Sequence, residues 1–157
     1  MKIIDSHLHF SRILAFEKAA AHNGVNYSQE GLISELSEHQ VVAGVCMGLT
    51  ESEEGKFPDE HTHGVMNCDL EKLPDNIYFC AGINPHKLDY DSLSRLEAIL
   101  QQDKCAGIKI YAGYYQFYVA DDIYEPVYEL ALKYQLPVVI HSGSTYSPKG
   151  LLKYSHP

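Results

Sequence analysis

Five short apolar runs, rich in valine and isoleucine and separated by stretches of helical spacing, constrain what this chain can fold into more than any other feature. They fall at 2–4, 41–47, 77–83, 105–111 and 137–141. Runs this short, apolar on both faces, suit the strands of a parallel sheet covered by helices. Between them, Leu32, Ile33 and Leu36 share one side of a helical pattern over 28–39, and Leu93, Leu96 and Leu100 do the same over 91–102. Pro126 opens a further helix that carries Val127, Leu130, Ala131 and Tyr134 before Leu136-Pro137 stops it. Residues 11–21 read as a helix ahead of the Asn23-Gly24 turn, and 50–63, with Glu51, Glu53, Glu54, Gly55 and Pro58, as a loop.

Strand, helix, strand in regular alternation requires right-handed crossovers and a parallel sheet. The runs start about 28 to 39 residues apart, and eight such units need about 250 residues, the usual size of a (β/α)8 barrel. A chain of 157 residues has room for about five of them. The expected fold is therefore α/β, either an open doubly wound sheet or an incomplete TIM-type (β/α)8 barrel of about five units. Residues 1–157 are expected to form a single domain, truncated at its carboxyl end.

The 12 Lys and Arg against 21 Asp and Glu give a formal charge of −9, which repels phosphate backbones and anionic membrane surfaces where no basic patch intervenes. Neither nucleic acid nor membrane is an expected partner; a small-molecule substrate is. The amino terminus meets Asp5 after two apolar residues, and nowhere do some 18 apolar residues run together. The expected location is cytoplasmic. Cys46, Cys68, Cys80 and Cys105 show no CxxC pairing and read as buried thiols in a reducing compartment.

The chemistry is concentrated in Asp5-Ser6-His7-Leu8-His9. Side chains two apart on a strand point to the same face, so the imidazoles of His7 and His9 converge and can grip one divalent metal ion. Neutral imidazole suits zinc and its transition-metal neighbours. His141 ends the fifth run, ahead of Gly143. In a barrel the carboxyl ends of all strands share one rim, so His141 would join His7 and His9 there. Asp5, on the face of His7, is a candidate for orienting the ligands from behind, for touching the metal, or for capping the turn after the strand. Lys109 alternates with Gly107 and Tyr111, which turns it inward while Ile108 and Ile110 face the helices.

Asp5-Ser6-His7-Leu8-His9, Gly107-Ile108-Lys109-Ile110 and Pro137-Val138-Val139-Ile140-His141, in this order, resemble the amidohydrolase superfamily, and within it the "amidohydrolase 2" group of hydrolases and nonoxidative decarboxylases of small organic acids. The resemblance implies a distorted (β/α)8 barrel with a divalent metal, usually zinc, at its carboxyl rim. It makes His7 and His9 metal ligands and His141 a ligand or its immediate neighbour. It also implies a metal that polarises the substrate and activates water. Lys109 is then a catalytic-site residue that binds a substrate carboxylate or pairs with an acid. The pattern calls as well for a histidine closing a sixth strand and an aspartate closing an eighth; the 157 residues supply neither, and His156 has no apolar run before it.

The second HxH, His61-Thr62-His63, follows Pro58, Asp59 and Glu60 and reads as loop, and His22, His39 and His86 read as surface residues. Tyr111, Tyr114, Tyr115, Phe117 and Tyr118 crowd the loop after the fourth run, where aromatics either wall a pocket or cover the barrel mouth. The expected function is a metal-dependent hydrolase of a small organic substrate. The alternatives are a decarboxylase of the same group, a TatD-like metal-dependent nuclease, disfavoured by the charge, and a non-catalytic fragment. An unclosed barrel bares a strand edge, and with it a route to homo-oligomers.

Overall fold

The structure, a computed structural model, describes residues 1–69, 71 and 73–156. Five parallel strands form one curved sheet in the order β1 (Ile3–Leu8), β2 (Val41–Met47), β4 (Ile77–Ile83), β5 (Cys105–Ile110) and β6 (Val138–Ile140). A two-residue strand β3 (Val65–Met66) lies antiparallel to β4, pairing Val65 with Ile83 and Met66 with Gly82. β5 occupies the opposite edge of β4 as far as Ile83. β3 therefore prolongs the ladder on the β2 side, beyond the last β2 pairing of Met47 with Cys80.

Among the described residues four α-helices lie in the connections: α1 (Leu14–His22) and α2 (Gln29–Glu38) after β1, α3 (Tyr90–Leu100) after β4, and α4 (Glu125–Tyr134) after β5. Ser28 caps α2 by accepting the Gly31 N–H at 3.0 Å, and Asp89 caps α3 by accepting the Ser92 N–H at 2.8 Å. Pro126 sits in the first turn of α4, which ends at Gln135 in the left-handed conformation, φ 54°. The core lies on the outer face of the sheet, where Ile77, Phe79, Ala81 and Ile83 of β4 and Ile108 and Ile110 of β5 cluster with Leu96, Ile99 and Leu100 of α3 and Val127 and Ala131 of α4. Each large side chain buried this way is worth about 1.5–3 kcal/mol.

The arc is an incomplete TIM-type barrel, one of the two architectures that the spacing allows and the one that the resemblance implies. Three details differ from expectation. β1 runs to Leu8, well past the apolar run, because pairing of Asp5 with Gly44 and Leu8 with Cys46 carries the strand through polar residues. β3 was not legible, being too short to show a period. And the strands are not covered on both faces: Ile4 is 68 % exposed, and Ile3, Val42, Tyr78 and Ile140 are exposed too. A barrel needs about eight strands to close on itself; with five, the inner face stays open, and among the described residues β1 and β6 each pair on one side only.

Gly48 marks the tightest point. A Cβ there would lie 2.4 Å from the Met66 carbonyl oxygen and 2.7 Å from that of Cys80, so only glycine lets β2, β3 and β4 meet at the rim. Among the described residues, no helix is long and apolar enough to cross a membrane. All four cysteines are buried free thiols, as expected.

Candidate metal centre

His7 and His9 stand at the carboxyl end of β1 with their Nε2 atoms 3.3 Å apart. Two imidazoles that each hold zinc at about 2.0–2.1 Å, with a tetrahedral angle between them, have nitrogens about 3.3–3.4 Å apart. The pair has the span of a chelate. Asp5 supports it through the main chain: its Oδ1 accepts the backbone N–H of His7 at 3.0 Å. Phe16 of α1 packs on the His9 ring, centroids 5.4 Å apart, and the buried Nδ1 of His9 has no hydrogen-bond partner.

The two imidazoles open into a cavity of about 550 Å³ shared with Lys109, His141, Phe16, Phe57, Tyr111 and Tyr114. His141 follows β6, and its Nε2 lies 3.2 Å from the Ser144 carbonyl oxygen. That contact is a hydrogen bond only if Nε2–H donates, which leaves Nδ1 with a free lone pair. The Tyr114 ring stands edge-on to His141 at 4.9 Å, and its hydroxyl accepts the Tyr146 N–H at 2.9 Å. The structure thus brings His7, His9 and His141 to one cavity. The convergence does not extend to a closed donor set, for among the described residues no three His, Cys, Asp or Glu side chains gather tightly enough to hold a metal.

The electrostatics favour metal binding by neutral rings. Burial, then the charges of His7, Lys109 and His141, hold His9 down at about 4. Burial and Lys109 lower His7 also, against the opposing pull of Asp5, and burial followed by Lys109 lowers His141. All three keep their lone pairs at neutral pH. Lys109, only 1 % exposed, is held down at about 8 by burial. Its Nζ has no hydrogen-bond partner and sits 5.5 Å from the centroid of the Tyr111 ring. Of the two roles expected for it, pairing with an acid is not what the structure displays.

Several rim residues were not recognised in sequence. Glu51, read as part of a solvated acidic loop, uses both carboxylate oxygens on backbone N–H groups, those of Leu14 at 2.9 Å and Phe57 at 3.1 Å. Asp59 is buried and accepts from the N–H groups of Ser52 and His61. Burial alone would raise its carboxyl, but those bonds outweigh it and hold the group below its ordinary range. Fully buried Asn84 donates from Nδ2 to the carbonyls of Thr62 at 3.0 Å and Glu60 at 3.2 Å. Of the crowded aromatics, Tyr111 and Tyr114 wall the cavity. Tyr115 turns away, donating to the Asp59 carbonyl at 3.2 Å, and Tyr118 is exposed. His86 packs edge-on against Phe117 at 5.1 Å and belongs to this aromatic edge, not to the metal centre.

The profile of the family described as TatD related DNase matches residues 4–151. The chain belongs to that family. Its fold resembles 5-carboxyvanillate decarboxylase from Novosphingobium aromaticivorans, a structure holding manganese and 3-methoxy-4-hydroxy-5-nitrobenzoic acid, with a TM-score of 0.56 and 14 % identity over 92 % of this chain and 51 % of that one. It also resembles 4-oxalomesaconate hydratase from Rhodopseudomonas palustris, with a TM-score of 0.53 and 18 % identity over 88 % of this chain and 52 % of that one. The chain thus spans about half the length of each structure. No curated protein matches it. The family and both structures fall in one TIM-barrel superfamily of metal-dependent enzymes, the one anticipated from the histidine-bearing strands.

Proposed function

We propose that this chain carries the metal-binding part of a metal-dependent hydrolase that acts on a small organic substrate. His7 and His9 are the ligands, His141 adds its Nδ1 lone pair, and Asp5 fixes the backbone that presents His7. The observation that carries this reading is the 3.3 Å separation of the His7 and His9 nitrogens at the mouth of a cavity that also holds Lys109.

When bound there, a divalent cation such as zinc or manganese supplies Lewis acidity toward a carbonyl or phosphoryl oxygen. The residues of the chain do the rest. Lys109, in its ammonium form, is the one lysine or arginine side chain lining the cavity among the described residues and draws in a substrate carboxylate. Phe16, Phe57 and Tyr114 give the cavity aromatic walls against which the ring of an organic substrate packs.

A second reading, phosphodiester hydrolysis, is favoured by the match to TatD related DNases and opposed by the formal charge of −9. One experiment addresses both. Zinc and manganese binding is titrated calorimetrically for the wild type, His7→Ala and His9→Ala, and the loaded protein is then assayed on carboxylated aryl esters and amides and on a DNA oligonucleotide. The proposal expects metal binding that either substitution weakens at least tenfold, and turnover of a carboxylated ester or amide. Unchanged binding in both variants would overturn the metal centre, and cleavage of DNA alone would replace the substrate class.

A further inference from the structure

Lys109 lies at the bottom of the cavity on the inner face of β5, its neighbours Ile108 and Ile110 turned outward into the helix-covered core. Burial sets its amine apart from the other lysines with described side chains. The residue is 1 % exposed, its Nζ has no hydrogen-bond partner, and what lies beneath the nitrogen is the face of Tyr111, whose hydroxyl is committed to the Gly48 carbonyl at 2.8 Å. An ammonium without a counter-charge at such depth is expensive, and the amine relieves that cost by shedding its proton more readily than a surface lysine. A desolvated, unpaired amine is also a nucleophile.

We propose that Lys109 is a reactive amine that captures a small aromatic aldehyde as a Schiff base within the cavity. The neutral Nζ attacks the carbonyl carbon to give a carbinolamine, and the carbonyl oxygen then leaves as water with both hydrogens of the amine, so that one C=N bond replaces one C=O bond and no oxidant or reductant is needed. The surroundings fit that ligand. Phe16, Phe57 and Tyr114 offer aromatic walls, and the volume of about 550 Å³ admits a substituted ring. The inference is separate from the metal reading, because no imidazole takes part in the bond.

The test uses benzaldehyde with cyanoborohydride on the chelator-treated protein, followed by intact-mass and peptide mass spectrometry. The expected result is one benzyl group per chain, located on Lys109 and formed at least tenfold faster than on any other lysine. In urea that preference is expected to vanish. Lys109→Arg, checked for fold by circular dichroism, is expected to lose the fast phase. Should the variant fail to fold, the wild-type peptide map decides alone. Labelling that spreads evenly over the exposed lysines, or a Lys109 peptide left unmodified in the folded protein, would overturn the proposal. Failure here leaves metal titration of His7 and His9 untouched, and failure there leaves this labelling untouched.

Discussion

Oε1 of Glu51 accepts the backbone N–H of Leu14 at 2.9 Å, which ties the first residue of α1 to the loop after β2. The other oxygen holds Phe57, a wall of the cavity, so one carboxylate braces both the helix carrying Phe16 and the loop facing it. Removing it in Glu51→Ala leaves two half-buried N–H groups without that partner. The expected loss is about 1–3 kcal/mol, read as a lower urea midpoint with an unchanged slope. Glu51→Gln, which keeps one acceptor oxygen, should lose less.

Asn84 offers a sharper comparison, because its amide nitrogen faces carbonyl oxygens only, while its Oδ1 accepts the His86 N–H at 3.1 Å. Asn84→Ala removes both roles and is expected to cost about 2–3 kcal/mol. Asn84→Asp keeps the acceptor but sets a buried carboxylate against two carbonyls, so it should destabilise more than alanine at neutral pH and recover part of the difference in acid. Thermal melts of the three proteins at two pH values check the order.

The lowered imidazoles set a pH window. With His9 at about 4 and His7 and His141 below the ordinary 6.5, metal affinity is expected to stay nearly flat from pH 8 to 6.5 and to fall only below it, as protons begin to compete. The same shifts bear on folding. A histidine whose folded value is depressed takes up its proton more readily when unfolded, so its contribution is whole above pH 6.5 and is lost as the pH drops toward about 4. Calorimetric zinc titrations, paired with urea melts across that range, test both slopes; His9→Gln should flatten the second.

Gly48→Ala places a methyl group within 2.4 Å of one carbonyl oxygen and 2.7 Å of another. Both neighbours are backbone, so strands must separate. A loss of about 2–3 kcal/mol is expected, with faster hydrogen exchange at Met66 and Gly82, which pair across β3 and β4.

The parts of this fold legible in sequence are those written in apolar periodicity. β2 and β4 fall where valine- and isoleucine-rich runs place them, and α2 and α3 lie within about a residue or two of their leucine patterns. Periodicity fails where function or long-range bonding replaces it. β1 carries Asp5, Ser6 and His7 inside the strand, so its polar half does not look like one, although the HxH spacing that hides the strand is what marks the candidate site. The loop at 50–63 reads as solvated because the partners that bury Asp59 and employ Glu51 include Leu14 and Asn84, whose proximity no local pattern records. Alternation alone turns Lys109 to the inner face, opposite Ile108 and Ile110. That it lacks a partner depends on every residue around it, and no window of sequence contains that.

The two ends of the sheet carry the site. His7 belongs to the outermost strand on one side and His9 follows it, while His141 follows the outermost strand on the other, with β2, β4 and β5 between them. Outer strands, held by one neighbour each, fray first. A molecule that touched all three rings would act as a clasp across the open arc, and the grip of the cavity on its occupant and the firmness of the sheet would rise together.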